Sequence, residues 1–432
     1  MYKSKVNCLN HEYKEIVIVL GGTVPHKRVI EKLKERGYYT VLIDYFEKPA
    51  AADVADMHFQ ESAMDLEIVV DIARKTGASY IISPCLDQQL NIAMKAAEIL
   101  GLRHAFSSEV AAMVTNKRLM KQKMLEGGIP TAKYYIVDTW SDLDSLDLTY
   151  PVIVKPVDSC GSAGVAKVDS KHDLVKTVKD SIKWSKDSRV IVEEFICGTE
   201  LSVHGYIEDG KGKILFSSCK LTDTSVVPFQ QVINMYMPKI RDDIQSELER
   251  IFNLILQTFC LPQNVTLFMQ VIVQGGNVFV IEFSPRIGGG LSSYVSEKYA
   301  GFDLINYSID TFIDYHTNRG ASHLNRFVCN CPIYCKSGIL SKIIGSEELV
   351  KEGVVADIQL LKPLGECVNT EKPSGANVLK YIIEGKTIEE CFEKAVCAKE
   401  RTECLNEKGE SIIDRRCVLS KTKFDNYTKI LF

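Results

Sequence analysis

The sequence lacks the features that would place it in a membrane or on a nucleic acid. No apolar run approaches the ~18 residues of a membrane span, and the N-terminus has no apolar signal core. The net charge is only -4 at pH 7, and no basic stripe is interleaved with aromatic residues. We therefore expect no membrane partner, no nucleic-acid partner and a cytoplasmic location.

The sequence also lacks the cysteine spacing of a zinc site. Fourteen cysteines are scattered through a chain with 46% hydrophobic residues, which can build cores without disulfides. The one cluster, Cys329, Cys331 and Cys335, has no paired Cys-x-x-Cys knuckles. Alternating strand cysteines are favoured over a metal site, and we expect reduced, mostly buried thiols.

The length and the order of patterns indicate several domains. At 432 residues the chain is too long for one ordinary core, so two to four domains or subdomains are expected. Strand patterns at 15–20, 40–44 and 80–83 alternate with helix patterns at 24–36, 64–75 and 87–100. This alternation predicts a parallel sheet with right-handed crossovers. Asp87, after the third strand, either reaches a substrate or caps the helix that follows.

The stretch 268–290 carries the clearest chemistry. Two runs rich in β-branched and aromatic residues are joined by a Gly-Gly-Asn link, which predicts adjacent antiparallel strands. Gln270 and Glu282 then lie where the strands face each other, and alternation places Ser284 on the same side, with Arg286 just beyond. Oxygen donors beside a guanidinium suit Mg²⁺ and phosphate. A buried hairpin with one polar face is the alternative.

A second signal follows a short strand that ends at Lys155. The loop 158–164 after it is rich in small residues, among them Ser159, Gly161, Ser162 and Gly164. Glycine and serine let backbone amides close over phosphate oxygens, while an ammonium group neutralises charge from the other side. The loop does not run into Gly-Lys-Ser/Thr, so it is not a Walker A motif, and a flexible hairpin is the alternative.

Two further charged stretches flank this loop. Lys117, Arg118, Lys121 and Lys123 crowd one predicted helix, for which a solvated basic face is the usual explanation. The apolar strand 190–196 breaks into a loop that can offer backbone groups to a purine edge. Glu193 and Glu200 would fill acidic roles there, the latter towards a ribose hydroxyl. Solvated carboxylates at a strand end are the alternative.

Taken in order, these motifs resemble the ATP-grasp superfamily. The matching elements are the basic helix with Lys117 and Gly-Ile-Pro-Thr, Val-Lys-Pro with Gly-Ser-Ala-Gly, Val-Glu-Glu-Phe-Ile with Gly-Thr-Glu, and Gln270 with Ile-Glu-Phe-Ser-Pro-Arg. The similar branch holds biotin carboxylase, the carbamoyl-phosphate synthetase large subunit, formate-dependent purine ligases and L-amino-acid ligases. The resemblance implies an α/β and α+β multidomain protein. It would consist of an N-terminal parallel α/β domain (1–107), an ATP-grasp fold (108–316, lid about 130–198) and a C-terminal α+β domain (317–432).

The resemblance also implies roles for the nucleotide-site residues. Lys117 and Lys155 match the lysines that contact phosphates, and the loop with Ser159, Gly161, Ser162 and Gly164 matches the mobile loop that closes over them. Glu193, Glu194 and Ile196 match the hinge that holds adenine, the last two through the backbone, and Glu200 matches the ribose-binding acid. Gln270 and Glu282 match the metal pair, Ser284 replaces the asparagine usual at the third ligand, and Arg286 matches the arginine that, with Lys155, serves catalysis.

The implied activity is an ATP-dependent carboxylate-amine ligase that forms an amide or peptide bond through an acyl phosphate. Its substrates would be an amino acid or other small carboxylic acid and an amine, its cofactors ATP and Mg²⁺ or Mn²⁺, and its assembly a homodimer. A bicarbonate-using carboxylase or carbamoyl-phosphate-type enzyme, and an ATP-binding protein without turnover, are the alternatives. Gln230, Gln231 and Asn234 stand where related ligases carry charged or imidazole side chains, which leaves the acceptor open.

Overall fold

The computed structural model describes residues 14–138, 140–159, 163–222, 231–313, 323–370, 373–416 and 420–432. Within these ranges the chain forms one eight-stranded sheet, two four-stranded sheets and two small two-stranded sheets. None of the helices in the described ranges has the length and apolar character needed to cross a membrane.

A four-stranded parallel sheet comes first in the chain. Its elements are β1 (Ile16–Leu20), α1 (Val24–Glu35), β2 (Tyr39–Ile43), β3 (Met57–Phe59), α2 (Leu66–Thr76), β4 (Tyr80–Ile82) and α3 (Asp87–Leu100). The order is β3-β2-β1-β4, with parallel neighbours throughout. The predicted α/β class is confirmed, and the six predicted elements end within two residues of the observed ones. The pattern did not indicate β3, which has only three residues.

Ion pairs attach this N-terminal region to the rest of the protein. Arg36, just after α1, places its Nη1 2.6 Å from the Oδ1 of Asp310, whose side chain is fully buried. Lys32 Nζ lies 3.0 Å from Asp303 Oδ2 and 3.3 Å from Glu297 Oε1. A buried carboxylate that loses its cation is left with an uncompensated charge, so these contacts fix the docking of α1.

A smaller unit with its own core follows. It is reached through α4 (Ser108–Thr115) and α5 (Lys117–Glu126), and consists of β5 (Tyr134–Val137), the 3₁₀ turn Trp140–Ser145, β6 (Val152–Pro156), β7 (Ala166–Val168), α6 (Lys171–Ile182) and β8 (Val190–Glu194). The sheet order is β5-β8-β6-β7, all antiparallel. Apolar residues such as Val154, Val178 and Val192 form a core separate from the main one. This unit lies inside the predicted lid range, whose boundaries stay predictions.

The eight-stranded antiparallel sheet is the centre of the protein. The elements from β9 onward include β9 (Thr199–Glu208), β10 (Lys211–Thr222), β11 (Gln231–Met237), α7 (Asp242–Thr258), β12 (Val265–Gln274), β13 (Asn277–Ser284), α8 (Ser292–Tyr299), α9 (Leu304–Ile313), β14 (Phe327–Tyr334), β17 (Asp357–Leu360) and β19 (Asn377–Gly385). The strand order of the sheet is β13-β12-β9-β10-β11-β14-β19-β17. The mixed α/β architecture that was predicted is confirmed.

The predicted C-terminal domain shares this sheet. Strands β14, β19 and β17 continue it beyond β11, where Asn234 pairs with Asn330 across the predicted 316/317 boundary. The remaining elements are β15 (Gly338–Ile339), β16 (Lys342–Ile344), α10 (Ser346–Lys351), β18 (Cys367–Val368), α11 (Pro373–Ala376), α12 (Ile388–Arg401), β20 (Glu403–Leu405) and α13 (Lys421–Leu431). The predicted domain boundaries themselves stay predictions.

Strand register divides the large sheet into two faces. Residues that pair directly across neighbouring strands share a face of the sheet. We define the polar face by one row of such pairs, which consists of Glu282, Gln270, Ser202, Ser218 and Tyr236. Helix α12 packs on the opposite face, where the Cys331 thiol lies 3.9 Å from the carbonyl of Ala395. The polar face is therefore the side of the sheet that α12 does not cover.

Candidate active site

The hairpin of β12 and β13 places the predicted metal residues together. Gln270 is directly opposite Glu282 in the register, as predicted, and both are half-buried on the polar face. The side-chain amide of Gln270 donates to Glu200 Oε1 at 3.2 Å, and Lys220 Nζ reaches the same oxygen at 3.2 Å. Because Glu200 takes the amide nitrogen, the Gln270 oxygen is turned elsewhere. The two residues therefore fit an oxygen-coordinated ion such as Mg²⁺.

Ser284 and Arg286 continue this edge of the site. Ser284 is buried two residues beyond Glu282, and its hydroxyl lies beside the carboxylate of Asp87. Arg286 donates two hydrogen bonds to Asp87, from Nε to Oδ1 at 2.7 Å and from Nη2 to Oδ2 at 2.5 Å. Its Nη1 donates to the Ile287 carbonyl at 2.6 Å. The guanidinium is thus fixed by a residue at the first turn of α3.

Charge pairing dominates the electrostatics of Asp87. Burial by itself raises the pKa of Asp87, but Arg286, and to a smaller extent Ser284, lower it below its ordinary value. Burial opposes ionisation of Arg286 as well, and Asp87 raises the pKa of the guanidinium. Of the two alternatives for Asp87, capping of α3 is wrong, because the N-cap position is occupied by Leu86 and Asp87 is the first residue of the helix. A substrate role for Asp87 stays a prediction.

Two of the predicted nucleotide-site residues, Lys155 and Glu193, are buried together with a third charged residue, Lys121. Glu193 Oε1 lies 2.7 Å from Lys155 Nζ and 3.1 Å from Lys121 Nζ. Lys121 also donates to Thr131 Oγ1. Burial would raise the pKa of Glu193, but Lys121 and Lys155 lower it. The carboxylate of Glu193 therefore orients two ammonium groups, in addition to the hinge role that the resemblance implies.

Lys121 is the residue that sequence reasoning missed. A solvated face is the wrong explanation for this side chain, which is only 1% exposed. Its position four residues after Lys117 on one helix was the available signal, because residues at i and i+4 share a helix face. Lys123 on the same helix is half-buried, and its Nζ pairs with Glu126 Oε2 at 3.2 Å.

Lys117 joins α5 to the loop after β6. Its backbone amide donates to the Val157 carbonyl at 2.8 Å, and its ammonium donates to the Ser159 carbonyl. Gly164 closes the described part of the loop in a left-handed conformation with φ 73°, and its carbonyl accepts from Ser181 Oγ at 2.7 Å. Gly161 and Ser162 lie outside the described residues. Lys117 and Ser159 thus meet, and their phosphate-binding roles stay predictions.

The predicted hinge residues Glu194 and Ile196 differ in solvent exposure. Glu194 is exposed, and its backbone amide donates to the Lys133 carbonyl at 2.9 Å. Ile196 is buried. The Glu194 amide is therefore engaged in the sheet, and any contact with a purine edge falls to its carbonyl or to Ile196. Their adenine-binding role stays a prediction.

The glycine loop 288–290 follows the β12–β13 hairpin and packs on the polar face at His204 and Phe268. A Cβ on Gly288 would stand 2.6 Å from both His204 Nδ1 and the Phe268 ring, so only glycine fits there. His204 is buried among Phe216 and Phe268, and burial, with Lys220 and Arg286, lowers its pKa to about 3. His204 is therefore neutral at physiological pH and supports the loop by packing.

The predicted cysteine cluster, Cys329, Cys331 and Cys335, is buried. No group of three or more His, Cys, Asp or Glu side chains within the described ranges is arranged to hold an ion. Cys329 and Cys331 alternate on β14 and are buried, and burial raises the pKa of both thiols. Protonated thiols are poor metal ligands.

Lys121 generates a pH-dependent prediction. Burial lowers its pKa to about 8, with Glu193 opposing that shift, whereas an unfolded lysine has a pKa of about 10.4. Above about pH 8 the unfolded chain binds more protons at this site, so the site makes the free energy of unfolding rise with pH up to about pH 10. Lys121→Met removes this rise. Urea unfolding at about pH 7.5, 8.5 and 9.5 measures it.

The matched control is Lys123→Met, which removes a half-buried lysine from the same helix. This control should keep the pH dependence of the wild type. An unchanged pH dependence in Lys121→Met would show that Lys121 is not buried with a lowered pKa.

Comparison with known proteins agrees with this geometry. A family model described as the ATP-grasp domain matches residues 148–294. An L-arginine-specific L-amino acid ligase from Bacillus subtilis is 24% identical over 285 residues, which is 63% of this chain and 67% of the relative. A D-alanine–D-alanine ligase from Pseudomonas entomophila is 37% identical over 109 residues, 24% of this chain and 34% of the relative. The chain thus matches only about a third of the length of the latter.

Solved structures extend the likeness in fold over most of the chain. The L-amino acid ligase from Bacillus licheniformis matches with a TM-score of 0.77 at 18% identity, covering 91% of this chain and 99% of that structure. The biotin carboxylase domain of the Hydrogenobacter thermophilus 2-oxoglutarate carboxylase matches with a TM-score of 0.72 at 16% identity, covering 97% and 99%. The predicted resemblance is confirmed for the matched region: residues 148–294 match the ATP-grasp domain, and the solved structures share the fold of the chain.

Proposed function

We propose that the chain is an ATP-dependent ligase that joins a small carboxylic acid to an amine through an acyl phosphate. The hairpin β12–β13 carries the proposal, because Gln270, Glu282 and the half-buried Arg286 lie along one edge of the polar face. The relatives in sequence include amino acid ligases that share this domain. The enzyme class of these relatives, ligases, agrees with the prediction made from the motifs.

ATP would lie between the lid and the large sheet. Lys117 and Lys155, each fixed by a partner, would present ammonium groups to the phosphates, and Glu200 would bind the ribose. Glu282 and the Gln270 oxygen would hold Mg²⁺, with Ser284 as a third oxygen. Mg²⁺ supplies charge neutralisation for the phosphates when it is bound.

The reaction needs positioning more than acid-base chemistry. An oxygen of the substrate carboxylate attacks the γ-phosphorus of ATP, and ADP leaves. The amine then attacks the acyl carbon, and phosphate leaves with the carboxylate oxygen. Fixed cations around the transferring group stabilise its charge without reorganising, which is the main protein contribution to phosphoryl transfer.

Arg286 is built for this task by its pairing with Asp87. A guanidinium has five N–H donors, of which Asp87 takes two and the Ile287 carbonyl takes one. Two donors, one on each terminal nitrogen, are left for oxygens of a transferring phosphoryl group. Asp87 thus acts as a positioning residue, since it sets the plane and direction of Arg286.

The amino acid assignment is the finer part of the proposal. It is supported by neutral polar side chains on the polar face beyond the metal pair, Ser202, Ser218, Asn234 and Tyr236, and by amino acid ligases among the relatives. A homodimer, which the resemblance implies, belongs to the proposal and is tested by the molar mass in solution. We also propose a cytoplasmic location, where ATP is supplied.

Phosphate release from ATP tests the proposed function. The assay uses saturating Mg²⁺ and a panel of amino acids and small carboxylic acids, alone and in pairs with amines, with and without bicarbonate. Release should require one carboxylate together with one amine, because the acyl phosphate is consumed only by the amine. Glu282→Gln, which removes one metal-binding charge, should lower that release by about 10²-fold or more.

The alternatives give different results in the same assay. Release that needs bicarbonate would contradict the ligase and favour a carboxylase or carbamoyl-phosphate-type enzyme. No release from any pair, with ATP still protecting the fold against heat, would indicate a binding protein without turnover.

The positioning role of Asp87 gives a second test. Asp87→Asn keeps the shape of the side chain but removes the charge that holds Arg286. We expect kcat to fall about 10- to 100-fold with a much smaller change in the KM for ATP, because a misdirected cation acts on the transferring group. Steady-state kinetics measure both constants.

The control for this variant makes the same substitution in the same domain. Asp65 caps helix α2 through its carboxylate, and asparagine is an equally good cap. Asp65→Asn should leave both constants unchanged. An Asp87→Asn enzyme with wild-type kcat would refute the positioning role.

A further inference from the structure

A lysine without a recorded partner stands on the polar face, well away from the nucleotide residues. Lys380 lies on β19, where its register neighbours are Pro332 and Gln359, both uncharged. Among the described residues, no hydrogen-bond or ion-pair partner of its ammonium is found. It is half-buried, and burial lowers its pKa. An unpaired, partly desolvated ammonium is costly unless something else pairs with it.

The register shows that Lys380 belongs to the same face as the catalytic residues. Lys220 pairs with Asn234, Asn234 with Asn330, and Asn330 with Ile382. Lys380 is two residues from Ile382 on the same strand, and so shares its face. One continuous surface therefore runs from Glu200, which Lys220 contacts, to Lys380.

Two buried amides lie between these ends. Asn234 and Asn330 are at least nine-tenths buried, and the Oδ1 atom of each has no hydrogen-bond partner within the described chain. If the side-chain amide of either asparagine is flipped, its Nδ2 atom lies at this position and lacks a partner instead. Buried polar atoms are almost always paired in folded proteins, so two adjacent exceptions need an explanation. A ligand that supplies hydrogen bonds is such an explanation.

The acidic side chains nearby on this face are already engaged. Asp357 accepts from the hydroxyl of Tyr294 at 2.7 Å, and Glu384 accepts from Tyr299 at 2.6 Å and from Arg326 at 2.6 Å. The counter-charge of Lys380 is thus not provided by these residues. The surface around Asn234, Asn330 and Lys380 has one positive charge and two unfilled hydrogen-bonding positions.

We propose that Asn234, Asn330 and Lys380 form an anion-binding subsite for the far end of a substrate. Its ligand carries a carboxylate or phosphate for Lys380 and hydroxyl or amide groups for the two asparagines. This inference deepens the proposed function, on which it rests, by assigning the substrate a second anionic group remote from the reacting centre.

The width of the sheet sets the size of that substrate. Five strand steps separate β12 from β19, and at about 4.8 Å each they amount to roughly 24 Å. A carboxylate activated above β9 or β10 lies closer, and the flexible lysine stem shortens the gap further. The remaining distance, on the order of 10 Å, fits a short peptide or a sugar phosphate better than a single small amino acid.

Matched probes test the charge requirement by calorimetric titration at saturating Mg·ADP. Triglycine is compared with triglycine amide, and ribose 5-phosphate with ribose. We expect the wild type to bind one anionic probe at least about tenfold more tightly than its neutral counterpart, as one charge-assisted contact allows. The probe that shows the preference identifies the anion as a peptide carboxylate or a sugar phosphate.

Three variants assign the preference to Lys380. Lys380→Met should reduce it to less than about threefold, Lys380→Arg should retain it, and Lys351→Met, at an exposed lysine of α10, should not change it. Equal affinity of the wild type for charged and neutral probes, or an unchanged preference in Lys380→Met, would overturn the subsite. If Lys380→Met fails to fold, the wild-type comparison still decides.

This titration is independent of turnover. Failure of the proposed function would appear as the absence of substrate-dependent phosphate release, while the anion preference would still be measured. Failure of the subsite would leave phosphate release intact. The two results can therefore be told apart.

Discussion

The register of β12 against β13 is the constraint on which the site depends. It sets Gln270 opposite Glu282 and, two and four residues on, delivers Ser284 and Arg286 to the same edge. A slip of one residue would turn these side chains to the other face of the sheet. Buried apolar residues on the opposite face, such as Val271 and Phe283, oppose that slip, because it would expose them. The apolar core thus fixes the strand register, and the register fixes the positions of the site residues.

Buried charges connect the other parts of the protein to this hairpin. Asp87 brings the N-terminal region to Arg286, while Glu193 brings strand β8 of the smaller unit to Lys121 on α5. Such pairs add little net stability, because desolvation offsets much of their attraction. Their effect is geometric, since each leaves an uncompensated buried charge if its partner moves. The site is therefore assembled from three units whose relative positions are set by ion pairs.

Sequence reasoning reached the elements that local pattern determines. The alternation of the first hundred residues and the β12–β13 hairpin, with Gln270 opposite Glu282, were predictable because they follow from periodicity and turn residues. The burial of Lys121, the pairing of Asp87 with Arg286, and the continuation of the sheet into β14 were not. Each depends on contacts between segments far apart in sequence, which periodicity does not encode. The roles of individual site residues remain predictions from resemblance and geometry.

The acyl phosphate is the central claim, and an isotope measurement tests it most directly. The protein is incubated with ATP, Mg²⁺, the amine and a carboxylic acid labelled with ¹⁸O at both carboxylate oxygens, and the released phosphate is analysed by mass spectrometry. If the carboxylate attacks the γ-phosphorus, each phosphate carries one labelled oxygen. Phosphate without label would mean that water, and not the carboxylate, attacks ATP, and would contradict the account.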